Sequence, residues 1–306
     1  MGVKIVVHTT RSKSQVEKIR ELLSDLNPEF VESGSSTDFL ALPSIEIIHG
    51  DKKIVYTGIP EGIERRLFFK AIEHLKGEKI EKDIAENAER IKRIGEVETK
   101  IFVAPFCPHC GKVVRKLIQI SSVNPKVRLN IIDATQFPEI SRKYEIISVP
   151  VILIDGKRIT GEVDLNEILD WLEKHEDPEF VKDHIKKLIA EGRAGEIITT
   201  ISKGYEDILV ELIEKGDFFT KLGAMYLIET MYERDKKSVE KIKNKLIELL
   251  SHPDYRIRED SALLIGKIGE IEDLYTLKRL KEDNEEVKES IEEAIQEINE
   301  RLNSEG

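Results

Sequence analysis

The chain has 306 residues, 40% hydrophobic and 35% charged, with a formal net charge of −11. This length favours two or more units with separate cores, the composition excludes a disordered chain, and the acidic balance argues against a general nucleic-acid surface. The first apolar run is too short for a secretory leader and no stretch reaches the ~18–20 apolar residues of a membrane helix, so a cytoplasmic protein without membrane or nucleic-acid partners is expected.

Residues 1–80 read as an α/β module. A strand at 3–7 precedes a helix at 14–26 with Val16, Ile19, Leu22 and Leu23 on one face. A second strand, opened by Leu42-Pro43, turns at Gly50-Asp51 into a third at 53–56, and a helix at 62–75 closes the module. The bend after the first strand, Thr9-Thr10-Arg11-Ser12-Lys13-Ser14, holds no thiol, so this module is expected to fold without exchanging disulfides. Residues 81–96 form a charged, helical connector.

Residues 97–177 repeat the plan and add chemistry. A strand at 100–104 leads to Cys107-Pro108-His109-Cys110, the only two cysteines of the chain, and then to a helix at 111–120 with Val113, Val114, Leu117 and Ile118 inward. A strand at 127–132 ends on Asp133, a short helix follows near 138–144, and Ser148-Val149-Pro150 opens a hairpin of strands 151–154 and 158–160 around Asp155-Gly156. A last helix at 163–175 turns Ile168, Trp171 and Leu172 inward.

A strand followed by CxxC at a helix start is how a reactive dithiol is presented. Cys107, at the helix N-terminus where free N–H groups favour negative charge, is the expected nucleophile, exposed and attacking as a thiolate. Cys110, one turn on, is the resolving thiol, Pro108 occupies an early helical position, and His109, if protonated, helps to stabilise the thiolate. The plainer readings are half a zinc site, a solvated His109 and a trans edge-strand Pro150; no further ligands with zinc spacing accompany the cysteines. Metal is therefore not expected, and the Cys107-Cys110 disulfide is the only redox group. Residues 100–106 contain no carboxylate, so the Cys110 proton needs another base or water.

Residues 178–306 switch to helical patterning after the turn signal Glu176-Asp177-Pro178. Leu212-Ile213, Asp217, Ala224 and Leu227-Ile228 recur as Leu249-Leu250, Asp254, Ser261 and Leu264-Ile265, and again more weakly at Asn284, Val287, Ala294 and Ile295. The segment from Leu249 to Gly269, with its Asp254, Arg256, Arg258 and Gly266, resembles a HEAT-type repeat, which implies helix pairs stacked in a solenoid that binds a protein partner.

The CPHC motif, Val149-Pro150, the Asp155-Gly156 hairpin and the duplicated plan resemble the glutaredoxin-like protein disulfide oxidoreductases of thermophilic archaea and bacteria. The likeness covers residues 1–176. It implies an α/β thioredoxin fold in two tandem modules, here followed by an all-α, HEAT-like helical-repeat solenoid. It also implies a cis-Pro150 facing the cysteines, with Val149 and Ser148 binding substrate. The implied activity is thiol–disulfide exchange on protein substrates bearing thiols or disulfides. Both halves of those enzymes usually carry CxxC. The single motif here resembles instead the N-terminal domain of the alkyl hydroperoxide reductase flavoprotein, which implies an alternative: an electron relay from a flavin-dependent, thioredoxin-reductase-type flavoprotein to one peroxidase. A redox-regulated scaffold is a further alternative. CPHC is shared with DsbA-type oxidants, implying an oxidising bias, and Ser148 replaces the threonine of glutathione-binding glutaredoxins. Abundant Lys, Glu and Ile fit a thermophilic source.

Overall fold

In the computed structural model, which describes residues 2–9, 12–32, 40–77, 80–201, 204 and 206–305, the chain divides into two units, Met1–His175 and Glu176–Gly306. Thr10 and Arg11 of the cysteine-free bend lie outside the described residues. Among the described residues no helix is long and apolar enough to cross a membrane.

Among its described residues the first unit is built on one sheet of eight strands: β1 (Lys4–Thr9), β2 (Glu29–Glu32), β3 (Ser44–His49), β4 (Lys52–Thr57), β5 (Val97–Val103), β6 (Val127–Asp133), β7 (Val151–Ile154) and β8 (Lys157–Thr160). Their order is β2-β1-β3-β4-β6-β5-β7-β8. Strand β1 runs parallel to β2 and antiparallel to β3, which runs antiparallel to β4. Strand β5 has the same relations to β6 and β7, and β7 to β8. Parallel pairing of β4 with β6, from Ile54 opposite Leu129 to Thr57 opposite Ile132, fuses the two halves into one sheet. Strand β2 was not foreseen, because a four-residue edge strand with a glutamate at each end alternates too briefly to stand out.

The helices of this unit are α1 (Lys13–Leu22), α2 (Gly62–Leu75), α3 (Lys82–Glu86), α4 (Ala88–Arg93), α5 (Cys110–Val123), α6 (Pro138–Lys143) and α7 (Leu165–Lys174). Val113, Val114, Leu117 and Ile118 are buried, so the helical period seen in the sequence does set the inner face of α5. Helix α2 buries Leu67, Phe68, Ala71, Ile72 and Leu75 and packs on α5, and both helices reach β4 at the junction of the halves. Elsewhere in the sheet Phe102, Ile132, Val151 and Leu153 form a cluster capped by Phe137, Ile140, Tyr144 and Val149. Trp171 is a fully buried core residue of α7, whose N-terminal N–H of Glu167 is accepted by the Asp164 carboxylate.

The second unit is helical throughout its described residues: α8 (Pro178–Ala190), α9 (Ala194–Ile201), α10 (Glu206–Lys215), α11 (Phe218–Arg234), α12 (Glu240–Leu249), α13 (Tyr255–Ile268), α14 (Ile271–Arg279) and α15 (Glu285–Glu305). Its recurring sequence pattern has a local cause. Asp217, Asp254 and Asn284 each accept a backbone N–H at the start of the second helix of a pair, from Thr220, Arg256 and Val287 at 3.0, 3.1 and 3.1 Å. Ala224, Ser261 and Ala294 are the small buried residues one face further on. A Cβ at Gly266 would stand 2.9 Å from the Ala294 Cα, so glycine there lets α13 and α15 approach closely. Ile295 is only half-buried; Ile298 fills the core position beyond it, which explains why the third repetition reads weakly.

Candidate active site

Strand β5 ends at Val103, and the turn that follows is closed by the Cys107 N–H on the Ala104 carbonyl at 3.1 Å. Cys107 and Cys110 are joined as a disulfide with their Cα atoms 5.5 Å apart. Helix α5 begins at Cys110, and its first N–H donates to Cys107 Sγ at 3.1 Å. The sulfur thus sits where a capping side chain would, on a donor left free by the helix start. Pro108 stands in the turn two residues ahead of the helix rather than at an early helical position, since the backbone must bend there to carry Cys107 back over the α5 terminus. Exposure differs from the expectation as well: Cys107 is 8% exposed and Cys110 2%, so access to the pair is narrow but favours Cys107.

The loop before β7 provides the cover. The Val149–Pro150 peptide is cis, and the Val149 carbonyl oxygen lies 3.7 Å from Cys107 Sγ. Ser148 is exposed beside it. Phe106, next to Cys107 in the chain, and Ile147, two residues before Val149, are 88% and 98% exposed, a large apolar area for a surface beside a disulfide. His109 is exposed, and its Nδ1 lies 2.8 Å from Glu162, whose other oxygen accepts from Lys112 Nζ at 2.7 Å. Those two contacts, Lys112 foremost, hold the Glu162 carboxyl below its usual range. His109 and Lys112 thus share one carboxylate beside the cysteine pair. The donor seen on the Cys107 sulfur is the Cys110 N–H.

Sequence reasoning missed what the cysteine-free half contributes. At the start of α2, the Ile63 N–H donates to the Pro105 carbonyl at 3.1 Å, two residues before Cys107. Gly62 has φ +52°, and a Cβ there would fall 2.8 Å from the same carbonyl oxygen. Next along, Glu64 is 2% exposed and accepts the Tyr56 hydroxyl hydrogen, while its Oε1 has no partner. Burial, with the nearby charges of Asp133 and Glu61, pushes the Glu64 carboxyl up to about 8, against the hydrogen bond from Tyr56. Burial and the Glu64 charge push the Tyr56 phenol up as well. One signal was available: Glu64 lies on the stripe 64, 67, 68, 71, 72, 75 that forms the apolar face of α2. Asp133 ends β6 fully buried, accepting from the Thr135 N–H and hydroxyl at 2.8 and 2.6 Å.

Residues 97–173 match the thioredoxin domain family, so the chain contains a thioredoxin-like domain with the cysteine pair inside it. Over 125 residues the chain is 29% identical to a protein named NADH dehydrogenase from Ferdinandcohnia aciditolerans, covering 40% of this chain and 24% of that one. It is 26% identical over 166 residues to the F component of alkyl hydroperoxide reductase in Staphylococcus aureus, covering 53% of this chain and 32% of that one. The chain therefore spans about a quarter to a third of the length of these curated relatives. Among solved structures, the alkylhydroperoxide reductase AhpF of Enterococcus faecalis aligns at 24% identity with a TM-score of 0.48, over 56% of this chain and 90% of that one. A protein disulfide oxidoreductase from Aeropyrum pernix aligns at 24% identity and 0.48, over 57% and 85%.

Proposed function

We propose that the thioredoxin-like domain at residues 97–173 makes this protein a thiol–disulfide oxidoreductase cycling Cys107 and Cys110 between dithiol and disulfide. The observation that carries the reading is the pair itself, joined at the tip of α5 with the Cys110 N–H on Cys107 Sγ. In the reduced state that donor and the helix terminus favour a Cys107 thiolate. The thiolate attacks one sulfur of a client disulfide, forming a Cys107–client mixed disulfide and expelling the other client sulfur as thiolate. Cys110 then loses its proton and attacks Cys107 Sγ, closing the enzyme disulfide and releasing the second client thiol. Two electrons pass from enzyme to client, and a dithiol reductant, such as that of a thioredoxin-reductase-type flavoprotein, returns them. An oxidising client cycle is the same sequence reversed.

Support for a protein client comes from the apolar rim of Phe106 and Ile147 and from the Val149 backbone beside the sulfur, against which an extended segment can lie. The repeated strand order and pairing support two tandem modules of one plan, the first without cysteines. The repeated caps and small residues of α11, α13 and α15 support a HEAT-like unit. Its partner-recruiting role is supported by Phe219, Leu222 and Tyr226, all exposed on α11 and lining a cavity of about 830 Å³, with Phe218 exposed next to them in the chain. A second reading, a relay serving one peroxidase, is favoured by the similarity to the F component of alkyl hydroperoxide reductase.

Insulin-disulfide reduction tests the main reading. Wild-type protein should catalyse it with dithiothreitol, Cys107→Ser should lose it, and Cys110→Ser should accumulate a client mixed disulfide on Cys107. Equal turnover by Cys107→Ser would remove the assignment. Turnover only with a flavoprotein donor and a peroxidase acceptor would favour the relay.

A further inference from the structure

Helices α2 and α5 cross beside the disulfide, where a Cβ at Gly111 would sit 3.8 Å from Ile63 Cγ2. The groove between them has a volume of about 210 Å³ and is lined by Pro108 and by four cations: Arg66, Lys70, Lys112 and Arg115. Two are already answered. Lys112 holds Glu162 at 2.7 Å, and Arg115 has Glu81 at 3.6 Å while its Nε stays buried without a partner. Arg66 and Lys70, one turn apart on α2, have no carboxylate within ion-pair distance among the described residues. Like charges spaced this way on a helix repel. Among the described residues no ion pair offsets that cost, on a chain whose net charge is −11.

We infer that this groove receives an acidic side chain of the protein client, so that exchange at Cys107 selects disulfides with Asp or Glu close to their cysteine. The inference rests on the exchange reading above. The groove is too small for a whole ligand of cofactor size and fits one or two side chains. Pro108 lines it and is bonded to Cys107, so a carboxylate seated on Arg66 and Lys70 stands within a few residues of the attacked sulfur. Unlike the apolar rim at Phe106 and Ile147, this contact acts through charge. It should raise the association rate and weaken with salt.

Symmetrical disulfide dimers of short Ala/Gly peptides, with the cysteine flanked by Glu, Gln or Lys, provide the probe. Second-order rates of oxidation of the reduced full-length protein are measured by stopped flow, with hydroxyethyl disulfide as a neutral small reference. The Glu peptide should react about tenfold faster than the Gln peptide at about 50 mM salt, with most of the advantage lost at about 0.5 M. In Arg66→Gln/Lys70→Gln the advantage should vanish while the Gln peptide and hydroxyethyl disulfide keep their rates. Equal Glu and Gln rates in wild type, or a preference that survives the double substitution, would overturn the groove and leave the exchange reading standing. No reaction with any disulfide would overturn both.

Discussion

The two halves of the eight-stranded sheet repeat one strand order and one set of pairings, yet only the second holds cysteine. After its cis proline the first half places Ser44, fully buried, with its hydroxyl on the Ala41 carbonyl at 2.7 Å and 3.1 Å from the Thr57 hydroxyl. Thr57 continues the chain to Asn130 of the other half at 3.0 Å. At the matching place the second half puts Val151 against Phe102 and leaves the facing loop to the disulfide. The lesson is a division of labour. The half without cysteines holds the loop before Cys107, through the Ile63 N–H on the Pro105 carbonyl.

That division can be broken from either side. The largest effect is expected from Trp171→Ala, where a side chain 1% exposed leaves a core cavity costing about 3–5 kcal/mol. If the continuous sheet couples the halves, denaturant unfolding followed by tyrosine and by far-ultraviolet signals should shift together for the first unit. Separate shifts would show that the halves melt apart. Gly62→Ala is next. Its positive φ and the 2.8 Å approach to the Pro105 carbonyl oxygen should cost about 1–3 kcal/mol and slow exchange at Cys107, although the substitution lies in the other half. An unchanged exchange rate would detach that contact from the site. Ser44→Ala, which removes a buried bridge between strands, should cost about 1 kcal/mol by urea titration and leave exchange untouched.

A further test uses pH. The folded chain holds the Glu64 proton up to about 8 against a usual value of 4.5, more tightly than the unfolded chain does. This group's contribution is thus fully present below about 4.5 and is lost as the pH rises through 8. Glu64→Gln should flatten that decline while leaving stability in acid unchanged. A decline of the same slope in the variant would assign it to other groups.

Local patterns carried much of this into view. The α5 stripe, the CPHC turn, the paired proline strands and the aspartates that cap α11 and α13 are each readable over a few residues, because capping and periodicity are short-range. What stayed hidden was made by chain segments meeting. Arg66 and Lys70 look like an ordinary solvated helix face until α5 crosses beside them. Glu64 looks like a first-turn acid until Tyr56 of β4 meets it. The place of Pro108 ahead of the helix depends on a one- or two-residue boundary, which local preference sets poorly.

The central claim is that Cys107 is the attacking sulfur, and site-resolved alkylation tests it most directly. Reduced protein is treated with iodoacetamide at pH 7 and the labelled cysteines are mapped by mass spectrometry against time. Alkylation of Cys107 at least about tenfold faster than of Cys110 is the expected result. Equal rates, or faster labelling of Cys110, would contradict the account.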